Sequence, residues 1–202
     1  MNVIVNWLIN NWVEIFGSIS GLVYIYFSLR KSLWLWPVGL VSSLAFIIVF
    51  YESRLFADMA LQVYYCIASI YGWIFWVFGK KNTISARDTE ELPISRLSTM
   101  QWIVATAVTM ALTLLYLPLG NAFHASFPLL DGFVTAASIV ATWMLARKIL
   151  DQWLIWIVVD ALSTGMLVAK EKYVAAGLML VYTLLAIIGY YKWLNDFRKQ
   201  NG

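Results

Sequence analysis

Residues 18–76 fall on residues 135–193 without a gap when the chain is shifted by a constant 117 positions. Arg30-Lys31 meets Arg147-Lys148, Leu33 meets Leu150 and Trp36 meets Trp153. Further along, Leu61 meets Leu178, Tyr65 meets Tyr182, Ile70 meets Ile187, Gly72 meets Gly189 and Trp76 meets Trp193. Weak internal symmetry of this length marks folds made of two similar halves with a site between them.

The class of fold follows from where the apolar residues lie. They run in long stretches, not in amphipathic stripes, and 62% of the chain is hydrophobic with only 12% charged. A soluble domain carries about 25% charged residues. The reading is an all-α membrane protein. Cys66 lies inside an apolar run and has no second cysteine to pair with, so it reads as a small buried hydrophobe. The first basic residue is Arg30, so no charged leader of a signal peptide is expected.

Seven spans of about 18–24 residues are expected, each long enough for a hydrocarbon core of about 30 Å. They are placed at 11–29, 33–51, 55–78, 100–118, 129–146, 149–169 and 173–194, within one transmembrane domain, 1–202. Arg30-Lys31, Gly79-Lys80-Lys81 and Arg147-Lys148 end the first, third and fifth. Residues 79–99 form the long polar loop, and a short loop around Asn121, His124 and Pro128 follows the fourth span.

Seven crossings put loops on alternate sides. One side receives Arg30, Lys31, Lys80, Lys81, Arg87, Arg96, Arg147, Lys148, Lys192, Arg198 and Lys199. The other receives only Arg54, Lys170 and Lys172. Basic residues stay cytoplasmic, so the N-terminus is expected outside, with the C-terminus and the 79–99 loop inside. The first and fifth spans then start on the same side. The expected architecture is two parallel three-helix repeats, 11–78 and 129–194, joined by an inverting linker helix at 100–118. SWEET-type sugar transporters share this three-one-three layout, an analogy of fold only.

Within a bilayer the costly residue is the informative one. Asp160 lies mid-span in WLIWIVVDALSTG, where an aspartate costs about 2.5–3.5 kcal/mol. Trp156 stands one turn before it, Trp153 or Gln152 a further turn back, and Ser163 and Thr164 one turn after. This spacing makes one face of indole, indole, carboxylate and hydroxyl. The alternative is a structural hydrogen bond between helices. The third span carries Asp58, Gln62, Tyr65 and Ser69 on one face, with Trp73 beyond. Gln62 can both donate and accept, whereas Asp58 equally suits a helix N-terminus. Ser43 is the counterpart of Asp160, so the symmetry breaks at its polar centre. Pro37 and Gly39 suggest a kink or a gate at the inner end of the second span. Glu14 and Asp131 read as helix caps, and most of the tryptophans and tyrosines as packing or interface residues.

Several chemistries are missing. There is no Walker A pattern, and one histidine and one cysteine cannot build a metal cluster. No G-x-S-x-G elbow has a histidine partner, and the last span has no mid-membrane lysine for a Schiff base. No enzyme, cofactor or metal is expected. The net charge of +3 serves topology and does not point to nucleic acid. A carboxylate beside indoles, with amide and phenol groups available, suits a flat cationic ring, since cation–π attraction supplies about 0.5–2 kcal/mol.

The segments WPVGLVSSLAF (Trp36–Phe46), LFADMALQVYYCIASIYGW (Leu55–Trp73) and Trp153–Trp193 resemble the PnuC family of bacterial vitamin transporters. The Ala-Asp-Met-x-Leu-Gln-Val-x-Tyr run and the Trp-x-x-Trp-x-x-x-polar spacing carry the resemblance, which covers nearly all the chain outside residues 80–99. It implies uptake of nicotinamide riboside or thiamine across the inner membrane by facilitated diffusion, with a cytoplasmic kinase trapping the vitamin. It also implies that Trp153, Trp156, Asp160, Gln62 and Tyr65 line the site, and Ser43 and Ser163 are added from their positions. Nicotinamide riboside members are associated with asparagine where this chain has Asp160, which favours thiamine. A SWEET-like sugar transporter and a vitamin sensor without transport are the alternatives. Besides the vitamin, the expected partner is membrane lipid, and homo-oligomerisation is left open.

Overall fold

The computed structural model describes residues 12–52, 54, 56–79, 92–122 and 125–201. The expected sites at His124 and in the 80–91 part of the polar loop lie outside the described residues, as does the side chain of Glu14. Seven helices follow one another: α1 Trp12–Leu29, α2 Leu35–Glu52, α3 Phe56–Phe78, α4 Thr99–Ala122, α5 Pro128–Ala146, α6 Gln152–Ala169 and α7 Tyr173–Asn201. Helices α2 to α7 are long and apolar enough to cross a membrane, and α1 adds the shorter apolar stretch Ile15–Leu29.

Two boundaries differ from expectation. α4 runs on through Pro118 to Ala122. Proline inside a membrane helix is tolerated because neighbouring groups satisfy the backbone it frees. α7 continues past residue 194 to Asn201, carrying Arg198 and Lys199 in its last turn. Cations there complement the carbonyl end of the helix dipole.

The inter-helix turns repeat in register. Lys31 and Lys148 have φ of 53° and 56°, and Arg54 and Glu171 have 58° and 59°. Each is a left-handed residue closing a helix where glycine is the usual choice. Ser32 N–H donates to Phe27 O at 3.0 Å, and Ile149 N–H to Met144 O at 2.9 Å. Lys31 N–H donates to Ser28 O, and Lys148 N–H to Leu145 O. This is the paired-bond Schellman ending, placed twice at the offset of 117.

The chain divides into two compact units, with the break between Ile74 and Phe75 inside α3. In the first unit α1 packs on α2. Ser20 and Ser42 hydroxyls bridge these helices at 3.1 Å. The fully buried Trp36 on α2 occupies the space beside Gly72 on α3, where a Cβ would overlap its ring. In the second unit α4 packs on α5, α5 on α6, and α6 on α7. α5 is the most enclosed span, 56% buried against 28% or less in the other spans. Its buried residues include the small Ala136, Ala137, Ser138, Ala141, Thr142 and Ala146 beside the larger Val140, Met144 and Leu145. Small residues let membrane helices approach closely, which is the main attraction available where lipid is as apolar as leucine. Ala105, Val140, Met144 and Ile149 form a core, with Leu97 and Ile155 against it.

The C-terminal end of α3 belongs to the second unit because its groups find partners there. Trp76 Nε1 donates to Ala146 O at 3.1 Å, one of the carbonyls that the end of α5 leaves without an intrahelical partner. The Trp76 ring lies 6.4 Å from its repeat counterpart Trp193. Lys148 Nζ lies 5.1 Å from the Trp76 ring centre, and the Arg147 guanidinium 4.6 Å from that of Phe75.

Candidate functional site

Ser43, Gln62 and Tyr65 belong to the first unit, and Trp153, Trp156, Asp160 and Ser163 to the second. α6 carries the second set because its 18 residues from Gln152 to Ala169 form one unbroken helix. Steps of three and four residues along it then keep Trp156, Asp160 and Ser163 on one face.

Asp160 is 7% exposed, so its carboxylate faces protein and not lipid. Among the described residues no lysine or arginine pairs with it. Tyr182 on α7, the counterpart of Tyr65, lies within its electrostatic range. The Thr164 hydroxyl donates 2.8 Å back to Asp160 O and so is committed to its own helix. Trp156 and Ser163 are half-buried. A half-buried indole one turn from an enclosed carboxylate can present an aromatic face and a counter-charge to one cation.

Trp153 has another surrounding. It is 3% exposed and packs where a Cβ on Gly189 would meet three of its ring atoms at 2.8 Å. It also meets Trp193 edge-on, 5.8 Å between ring centres. Trp153 therefore packs on α7 as Trp36 packs on α3.

In the first unit Ser43 is buried, and Gln62 and Tyr65 are half-buried on α3. The Tyr64 and Tyr65 rings lie 5.6 Å apart. Tyr24, on α1, reaches into this region; a Cβ on Gly39 would meet its ring at 2.9 Å and the Ser69 hydroxyl at 3.1 Å. The offset places Ala141 against Tyr24 and Trp156 against Gly39. The bulky ring is thus carried by α1 in the first unit and by α6 in the second. Gly39 accommodates a neighbouring ring. Pro37 sits in the first turn of α2, where its missing N–H costs no intrahelical bond.

One acidic residue differs from its expected capping role. Phe127, not Asp131, holds the cap position of α5. Asp131 lies in the first turn, 3.8 Å from Lys170 Nζ. Asp58 is likewise in the first turn of α3, where negative charge is favoured.

The polar loop contributes an ordered strap. Ser95 N–H donates to Lys148 O at 3.2 Å and Ser95 O accepts from Leu150 N–H at 2.9 Å, across the α5–α6 turn. Arg96 Nε and Nη2 donate to Asp151 Oδ1 at 3.2 and 3.0 Å, and Leu97 N–H donates to Oδ2 at 2.8 Å. The hydrogen bonding of its side chain to Asp151 is the main reason the Arg96 guanidinium is held above its ordinary pKa. Ile94 N–H donates to Gln200 Oε1 at 3.0 Å, tying the strap to the end of α7. Leu92 and Ile94 of the strap are themselves buried. Sequence reasoning missed these residues, as it missed Tyr24 and Tyr182. The offset held a signal for the last, since it pairs Tyr182 with Tyr65. Among the described residues no cluster of His, Cys, Asp and Glu side chains offers a metal site.

The family model described as nicotinamide mononucleotide transporter matches residues 11–195. The chain belongs to this transporter family. It is a multi-pass membrane protein of all-helical fold. The nicotinamide riboside transporter PnuC of Escherichia coli K12 is 24% identical over 94% of this chain and 88% of its own length. PnuC of Neisseria mucosa is 23% identical over 96% of this chain and 76% of its own. The riboflavin/roseoflavin transporter RibM of Streptomyces davaonensis is 24% identical over 90% and 84%. A crystal structure of the vitamin B3 transporter PnuC matches with a TM-score of 0.73 at 22% identity, covering 98% of this chain and 87% of that one. That likeness shows the family fold. These relatives are transporters, so the family is one of carriers and not of enzymes.

Proposed function

We propose that this chain takes up a cationic water-soluble B vitamin, thiamine or nicotinamide riboside, across a bacterial cytoplasmic membrane. Movement is by facilitated diffusion, and a cytoplasmic kinase traps the vitamin by phosphorylation. Asp160 supplies the counter-charge and Trp156 the aromatic face. Ser163 adds a polar contact on the same face of α6, Gln62, Tyr65 and Ser43 are substrate contacts within the first unit, and Trp153 fixes α6 against α7. The N-terminus is outside and the C-terminus inside, supported by the bias of basic residues.

One observation carries this reading: the enclosed carboxylate of Asp160 has no basic partner among the described residues. An intramembrane anion of that kind is costly unless a cation meets it. A neutral sugar needs no such charge. The aspartate favours thiamine over nicotinamide riboside, and the relative named for riboflavin makes that vitamin the third substrate to test.

Purified protein in vesicles should accumulate labelled thiamine or nicotinamide riboside to equilibrium without ATP or an ion gradient. Riboflavin and glucose should not compete. Binding without flux would make the chain a sensor. Uptake of neither cation would end the proposal.

A further inference from the structure

Gln152 begins α6 with its side chain fully enclosed, at 0% exposure. Neither its amide oxygen nor its amide nitrogen has a hydrogen-bond partner among the described residues, and the neighbouring Trp153 Nε1 is likewise unpaired. Three orphaned polar atoms on adjacent residues are unusual, because a buried amide without partners works against folding. The fold itself does not demand an amide here. The offset of 117 sets Leu35 in the equivalent place at the start of α2, and Leu35 is also at 0% exposure. The first unit thus fills with a leucine of similar size the position that the second gives to a glutamine.

The position is not random with respect to the site. Gln152, Trp156 and Asp160 follow at steps of four, so all three share a face of α6. At 1.5 Å per residue, Gln152 lies about 12 Å from Asp160 along the helix axis, towards the α5–α6 turn. An amide offers one donor and one acceptor side by side. Its complement is a group that also presents a donor beside an acceptor, such as a carboxamide or an aminopyrimidine edge.

Resting on the transport reading above, we infer that Gln152 is a specificity-determining station for the permeating vitamin. It takes the neutral donor–acceptor edge of the substrate after the cationic ring has met Asp160. The amide is sealed in this structure and is reached as the inner end of α6 becomes accessible during transport. Its unpaired atoms are retained because the substrate is their partner.

The test is Gln152→Leu, the residue the first unit already uses, in purified protein and in vesicles. Melting temperature should rise by about 2–4 °C, since an unpaired amide leaves the interior. The KM for uptake of thiamine or nicotinamide riboside should rise about tenfold. An analogue without the donor–acceptor edge, the unsubstituted pyridinium riboside, should be transported equally by both proteins. Gln152→Glu, which keeps size and an acceptor, serves as a second variant and should fall between the two in KM. Wild-type KM in the leucine variant would overturn the inference and leave a trapped water as the partner of Gln152. So would an equal loss with the edge-free analogue. Absence of vitamin uptake by the wild type would instead remove the transport reading, and this inference with it.

Discussion

The Trp153 indole occupies the space a side chain on Gly189 would need, with three of its ring atoms 2.8 Å from that Cβ position. The two residues are counterparts of Trp36 and Gly72, which meet in the same way in the other unit. The repeat therefore preserves a contact between its second and third helices. Gly189→Ala should lower stability by about 1–3 kcal/mol, because an enclosed indole cannot yield. Gly165→Ala, with nothing within 4 Å, should be neutral or mildly stabilising. Thermal unfolding in detergent compares the two, and equal effects would refute a packing role for Gly189.

Asp160→Asn should separate charge from shape. Removing an enclosed carboxylate that has no basic partner should leave the melting temperature unchanged or raised. The KM for thiamine should rise about tenfold or more, the loss expected for a charge-assisted contact. Unchanged uptake kinetics would make the aspartate structural.

Asp151 accepts from both Arg96 and Leu97, so its removal should cost more than removal of either donor alone. Asp151→Ala should lose about 1–3 kcal/mol, since it leaves the Leu97 N–H without an acceptor. Arg96→Ala should lose about 1 kcal/mol or less, because its side chain is 44% exposed and water competes for the pair. Denaturant unfolding of the two variants and the double variant reads the coupling. An Asp151→Ala protein as stable as wild type would show that the strap is held by its backbone bonds alone.

Glu171 closes α6 at φ 59°, in a conformation that a glycine adopts without a Cβ penalty. Glu171→Gly should therefore gain about 1 kcal/mol, seen as a higher melting temperature. Lys148→Gly should gain less, because that lysine also lies 5.1 Å from the Trp76 ring centre. The reverse order would mean that side-chain contacts, not backbone conformation, decide these turns.

Much of the architecture is legible along the chain. Apolar runs mark the spans because a bilayer offers no partner for an unpaired backbone group. The Arg-Lys pairs mark where the first and fifth helices end. The left-handed turns at Lys31, Arg54, Lys148 and Glu171 are not legible, because none is the glycine or asparagine that normally signals one. α4 runs past Pro118, since membrane helices tolerate a proline that local propensity reads as a stop. The site residues show the same division. Asp160 stands out because its cost depends on depth alone. Trp153 and Trp156 look alike in the sequence, yet one packs on Gly189 and the other is half-buried.

The sequence by itself determined that this chain is a helical membrane protein with two related halves and an acidic group at mid-span. These properties follow from span length, charge placement and a constant offset, each of which is written in one dimension. Only the tertiary structure decided which indole is core, how the strap binds Asp151 and that the Gln152 amide is left without a partner. Those outcomes depend on which atoms of distant segments come within about 3 Å of one another. Residue spacing along a helix does not contain that information.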